Sequence, residues 1–255
     1  MFRALTLKKI LLFLMIGSFL LPFFFLENIP GNFSSARVLE LAKDSDVIIL
    51  FNSGGWGNTP LEKAVDFDSI VAGIQTTLSS LGHNSIVISY YRTIGSLSGK
   101  IVGLRDFFDS FRFSSAFLAK EVEVLVDKLP DKKIILVGLS AGGALVNKTH
   151  DLISKKAKDS VITIAAGVPF WVNDSFSGDI LYLDNNGRDK LVAGKVENLF
   201  AALVFSPLKW LSAKVSGQDV SLTTVRNKII GHSYDWPLAA PEIIPFLEKN
   251  ISKLQ

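Results

Sequence analysis

From residue 46 onward, short and nearly continuous apolar runs alternate with longer stretches in which apolar positions recur every three or four residues. Val47–Phe51, Ile86–Tyr90, Ile134–Val137, Val161–Ala165 and Ile180–Leu183 are runs of the first kind, and another surrounds Thr223–Ile230. Such runs belong to strands covered on both faces, the condition of a parallel sheet. Asp68–Leu81 is of the second kind, with Ile70, Ile74 and Leu78 on one helical face. Ala116–Leu129 reads as a second helix. A third follows Ser140, setting Ala144, Leu145, Leu152 and Ile153 against Lys148, Asp151, Lys155 and Lys156. Strands and helices in alternation predict an α/β fold with a doubly wound, mostly parallel sheet. That domain occupies residues 46–255.

Three segments break the alternation: 92–115, with Phe107, Phe108, Phe111 and Phe113; 168–178, with Phe170 and Trp171; and 193–219, with Phe200, Phe205 and Trp210. Each follows a strand, on the carboxyl side of the sheet where open α/β folds bind ligands. They read as cap or pocket walls, the alternative being ordinary helix packing. Residues 28–45, containing Pro30 and Gly31, read as a polar linker.

Residues 1–27 carry a different signal. Arg3, Lys8 and Lys9 precede an uncharged apolar stretch from Ile10 to Leu26. As a helix it reaches about 25 Å, near the lower limit for spanning a bilayer. An uncleaved signal anchor is preferred; the alternative is a cleaved signal peptide, with a site at Ser34-Ser35-Ala36 rather far beyond the apolar run. Both readings place the positive flank in the cytoplasm and the body across the membrane, anchored to it or exported.

Composition narrows the chemistry. The 255 residues contain no Cys, which excludes a catalytic thiol, a disulfide framework and a thiolate metal site. Three His leave little for a multi-His zinc centre, so neither metal nor cofactor is expected. The net charge of +3 comes from scattered Lys and Arg, giving no footprint for nucleic acid. Nineteen Phe against four Tyr point to greasy surfaces inside the protein or near lipid.

The most specific chemical signal is Gly138-Leu139-Ser140-Ala141-Gly142, between an apolar strand and a helix. Small residues at Gly138 and Gly142 permit a bend sharp enough to display the Ser140 hydroxyl. Phosphate loops and dinucleotide turns require other glycine spacings, and neither is present. A serine nucleophile needs a base. His150 lies some ten residues along the helix that starts at the elbow, and His83 lies in a turn at the opposite end of the sheet. His232, just after the last expected strand, remains. For the acid that orients it, Asp189 on the loop after Ile180–Leu183 is preferred to Asp184 at the strand end, with Asp235 and Asp174 weaker. Donors for an oxyanion are the Ala141 N–H, immediately after the nucleophile, and the N–H of Gly54 or Gly55 in the Asn52–Asn58 loop.

A strand-elbow-helix at Ser140, an acid on a later loop, a histidine after the last strand and a Gly-rich loop upstream resemble the α/β-hydrolase superfamily, over about residues 46–250. The resemblance implies a Ser140/His232/Asp189 triad and a covalent acyl-enzyme. Two features depart from it. Asn52-Ser53 stands where many members have His-Gly, and Pro241 and Pro245 should shorten or kink the final helix. The function expected is hydrolysis of a small-molecule or lipid-like ester. The alternatives are an acyltransferase using the same residues and a non-catalytic binding protein on the same fold.

Overall fold

The carboxyl ends of five parallel strands finish level with one another, and that edge organises the molecule. The structure, a computed structural model, describes residues 33–172, 177–194, 212–213, 216–217 and 231–251. Among these residues the sheet consists of β1 (Val47–Asn52), β2 (Ser85–Tyr90), β3 (Lys133–Leu139), β4 (Val161–Ala166) and β5 (Ile180–Leu183), in the order β2-β1-β3-β4-β5. All four pairings are parallel. Tyr90 lies beside Asn52 and Asn52 beside Gly138; one step further, Leu139 lies beside Ala166 and Ala166 beside Leu183. Whatever follows these residues in the chain is delivered to the same rim.

Strand residues alternate between two cores. Ile48, Leu50, Ile134 and Leu136 face one cluster, which also holds α1 (Ser35–Leu41), α4 (Arg112–Lys128) and α5 (Ala141–Leu152). Val47, Ile49, Phe51, Ile135 and Val137 face the other, with α2 (Asp68–Ser80) and α7 (Trp236–Ile251). Helices thus cover both faces, and the fold is doubly wound α/β. The central strands β1, β3 and β4 are buried at every position, which is why their sequences lack polar alternation. Two further helices among the described residues are α3 (Leu97–Phe108) and the single turn α6 (Lys155–Lys158).

Several expectations need correction. The stretch expected as a linker forms α1 over Ser35–Leu41: Val38 and the adjoining Ala42 enter the core, and Ser35 N–H donates to Glu121 Oε2 at 2.9 Å. Leu39 and the preceding Phe33 pack beside them, which docks so short a helix. The helix expected from Ala116 starts four residues earlier, because Ser110 and Phe111 adopt left-handed backbone (φ 53° and 60°) that turns the chain sharply from α3 into α4. Segment 92–115 is therefore only partly an exposed wall. Phe111 is fully buried and Phe107 packs on the core, while Phe108 and Phe113 stay exposed.

Pro241 and Pro245 do not end the last helix, which runs through both to Ile251. Its Ala239, Ile243 and Leu247 recur every four residues against α2, so burial outweighs the lost N–H donors. Gly73 of α2 leaves the space for Trp236: a Cβ there would meet the indole at 2.0 Å. Among the described residues no helix is long and apolar enough to cross a membrane. The Ile10–Leu26 run, the Thr223–Ile230 strand and most of segment 193–219 lie outside the described residues.

Candidate active site

Ser140 occupies the junction of β3 and α5 with φ 56° and ψ −117°, a conformation L-residues rarely adopt. Such strain costs roughly 1–3 kcal/mol and persists only where the surroundings impose it. Here they do. The Ser140 N–H donates to the Ala166 carbonyl of β4 at 2.8 Å, and the Ser140 carbonyl accepts the first helical bond from Ala144 N–H at 2.9 Å. The flanking glycines are needed for their lack of bulk. A Cβ on Gly138 would lie 2.3 Å from the Gly142 carbonyl oxygen, and one on Gly142 would lie 2.1 Å from that of Asn52. The spacing read from the sequence is thus the spacing at which backbone touches backbone.

The loop after β1 brings Gly54 against this elbow. A Cβ on Gly54 would stand 3.1 Å from the Leu139 carbonyl oxygen and 3.3 Å from Ser140 Cβ. Gly55, next along, has a left-handed φ of 58° and open space around it. Ala141 follows Ser140 as the first residue of α5. Asn52, which departs from the superfamily pattern, serves the sheet itself, its Nδ2 donating to the carbonyls of Leu50 and Val137 and so tying the ends of β1 and β3.

His232 and Asp189 meet although 43 residues separate them: Nδ1 of the histidine lies 2.8 Å from Oδ2 of the aspartate. Asp189 is 1% exposed, and both oxygens of its carboxylate are used. Oδ2 also accepts from the Tyr234 hydroxyl at 2.5 Å, and Oδ1 accepts from the Leu191 and Val192 N–H groups. Burial alone would raise its pKa. The bonds and charge from His232, with those from Tyr234 and Leu191, outweigh burial and hold it below the usual carboxylate value. Burial and the adjacent Asp189 push the Tyr234 hydroxyl the other way, keeping it protonated as a donor.

The imidazole is braced from two sides. Asn185 Nδ2 donates to the carbonyls of Gly231 and Ser233, at 2.9 and 3.4 Å, bracketing His232. Gly167, at φ 60°, lies so close that a Cβ would sit 2.6 Å from His232 Cε1. The peptide that receives the Ser140 N–H is the Ala166–Gly167 peptide, so one unit of backbone links the elbow to the histidine. Among the described residues no hydrogen bond joins the Ser140 hydroxyl to His232.

The other candidates are elsewhere. Asp184 Oδ1 accepts from Gly187 N–H, closing a turn through Asn185 and Asn186, both left-handed. Asp235 is exposed just before α7. Asp174 lies outside the described residues. His150 is buried between α5 and β4, its Nδ1 3.0 Å from Thr163 Oγ1. Tyr234, Asn185 and Gly167 are site residues that the sequence does not single out. Only Tyr234, two residues after the candidate base, carries a signal that proximity in sequence could have exposed.

No protein-family model matches the chain, and no curated protein matches it. Among solved structures it is similar to a Trichoderma reesei cutinase in complex with a phosphonate inhibitor. That likeness has 17% identity and a TM-score of 0.43, covering 63% of this chain and 73% of that one. It is also similar to a cutinase-like protein from Cryptococcus sp., at 18% identity and a TM-score of 0.33, covering 48% and 52% respectively.

Proposed function

We propose that this protein is a serine hydrolase that cleaves an ester through Ser140, His232 and Asp189. The observation that carries the reading is the His232–Asp189 bond of 2.8 Å, made by a buried, fully bonded carboxylate at the same sheet edge as a strained serine. A scaffold that only bound ligands would have no use for this arrangement. The chain order Ser, Asp, His at a strand-to-helix elbow is that of α/β hydrolases.

In the proposed reaction Ser140 Oγ attacks the ester carbonyl carbon and its proton passes to His232 Nε2. The resulting oxyanion is held by the Ala141 N–H and by an N–H of Gly54 or Gly55. Collapse expels the alkoxide, which takes the proton from the imidazolium and leaves an acyl-Ser140 ester. Water, deprotonated by His232, then releases the acid and restores the serine. Asp189 stays ionised throughout, fixing the tautomer that leaves Nε2 unprotonated before attack.

The exposed side chains near the rim favour an ester with an apolar acyl group. Trp56, Ile94 and Phe170, on loops leaving β1, β2 and β4, and Phe108 at the end of α3 are all well exposed. We also propose that the Ile10–Leu26 segment holds the body on the outer side of the cytoplasmic membrane, where lipid-like esters are at hand.

The decisive experiment is labelling with a fluorophosphonate probe. Wild-type protein is expected to be labelled, and Ser140→Ala to abolish both labelling and p-nitrophenyl ester hydrolysis, by about a millionfold in kcat as for other triad serines. Labelling that survives the substitution overturns the proposal.

A further inference from the structure

Arg92, in the segment leaving β2, is 4% exposed, and Asp106 of α3 is 1% exposed. Arg92 Nε lies 3.3 Å from Asp106 Oδ2, close enough for an ion pair though not aligned as a hydrogen bond. Asp106 is held in turn by the Ser114 hydroxyl at 2.8 Å and the Ser114 N–H. The guanidinium lies over the Phe111 ring, 4.8 Å from its centre, and Phe111 is held there by the left-handed turn between α3 and α4. Burying a charge pair is costly, and such pairs contribute less stability than apolar packing of equal volume. This one therefore calls for another explanation.

Its remaining nitrogens supply one. Nη2 donates to the Gly55 carbonyl at 2.6 Å and Nη1 to the Ala141 carbonyl at 3.3 Å. These residues belong to the two separate segments that offer the oxyanion donors. Neighbouring bonds extend the hold: Arg92 N–H donates to the Gly57 carbonyl at 2.8 Å and Thr93 Oγ1 to that of Trp56 at 2.7 Å. The carbonyls of residues 55, 56 and 57 are thus all fastened by Arg92 and Thr93. Without those bonds a Ser-Gly-Gly-Trp-Gly loop has wide conformational freedom.

We infer that Arg92, set by Asp106, is a positioning residue that fixes the spacing between the Gly54–Gly55 loop and the Ser140–Ala141 elbow, and so pre-forms the oxyanion site. The guanidinium is suited to this by its planar fork of donors, which a lysine ammonium cannot reproduce. The inference rests on the serine-hydrolase reading above. A shift of about 1 Å in one donor segment is enough to cost on the order of a hundredfold in rate.

The test separates positioning from stability. Removing one partner leaves a buried charge unpaired, so the variant used is the double replacement Arg92→Met/Asp106→Leu, which exchanges the pair for apolar volume. The variant should still unfold in one cooperative transition, with a thermal midpoint lowered because the Gly55, Ala141 and Ser114 groups lose their partners, and kinetics are read well below that midpoint. Hydrolysis of p-nitrophenyl butyrate should fall about a hundredfold in kcat with KM changed less than about threefold, and fluorophosphonate labelling should slow in parallel. Arg92→Lys, which keeps the charge and the fold, should lose about tenfold in kcat. Wild-type kcat in either folded variant would overturn the inference while leaving the hydrolase reading intact. Absence of labelling in the wild-type protein itself would remove that reading and this inference with it.

Discussion

At the scale of single residues, the two aspartates that the sequence left in competition have different roles. Asp189 lies on the imidazole, and Asp184 closes a turn around Asn185, which itself holds the His232 loop. Asp189→Asn should reduce kcat by about ten thousandfold, since an amide at this position favours the wrong histidine tautomer. Asp184→Asn should leave kcat close to that of wild type, because an amide oxygen still accepts the Gly187 N–H. Steady-state kinetics on the purified variants decide the matter, and the reverse ranking would give the acid's role to Asp184. Tyr234→Phe removes one of the donors to Asp189 and should lower kcat by about tenfold, the kinetic equivalent of ~1.4 kcal/mol. The sequence favours Asp189 but leaves Asp184 open because both sit on one short loop. Only the placement of His232, 43 residues on, separates them.

At the scale of elements, strands and helices were largely readable because burial on both faces removes polar alternation from a strand and one-sided burial imposes a helical repeat. The exceptions are elements whose stability comes from elsewhere. The helix Ser35–Leu41 depends on docking, the turn at Ser110–Phe111 on strain held by packing, and the last helix on a buried face that overrides two prolines. The contact between α5 and β4 carries a pH dependence. His150, buried there, has its pKa lowered to about 4, first by burial and then by Lys158, with Asp179 and Asp151 pulling weakly the other way. In the unfolded chain it titrates near its ordinary value of about 6.5. Between these values the unfolded state binds more protons, so stability is complete above about pH 6.5 and declines as pH falls toward 4, by up to about 1.4 kcal/mol per pH unit. Urea midpoints across this acidic range should show a shallower decline in His150→Gln than in wild type. Equal slopes in the two proteins would show that another group sets the dependence.

At the scale of the whole molecule, the body and the apolar segment before it make separate predictions. A reporter fused after Gln255 should be active only outside the cytoplasm, and full-length protein should remain with membranes through a carbonate wash, because three basic residues precede the Ile10–Leu26 run. Full-length protein in the soluble cytoplasmic fraction would refute both statements; a shortened, soluble exported form would refute the anchor alone. Within the body, the amino-acid sequence by itself determined the α/β class, the strand-to-helix elbow and the short set of residues from which a nucleophile, a base and an acid could be drawn. These are local properties, set by the period of burial along the chain and by the close approach of the Gly138 and Gly142 backbones within the elbow. Tertiary structure alone decided which aspartate His232 meets, that Gly54 lies against Ser140, and that Arg92 joins the Gly55 and Ala141 carbonyls, residues 37 and 49 positions away from it. Those contacts depend on the level carboxyl ends of parallel strands, which bring distant loops to one rim. A linear pattern shows what each segment can bury but not which loop it will meet.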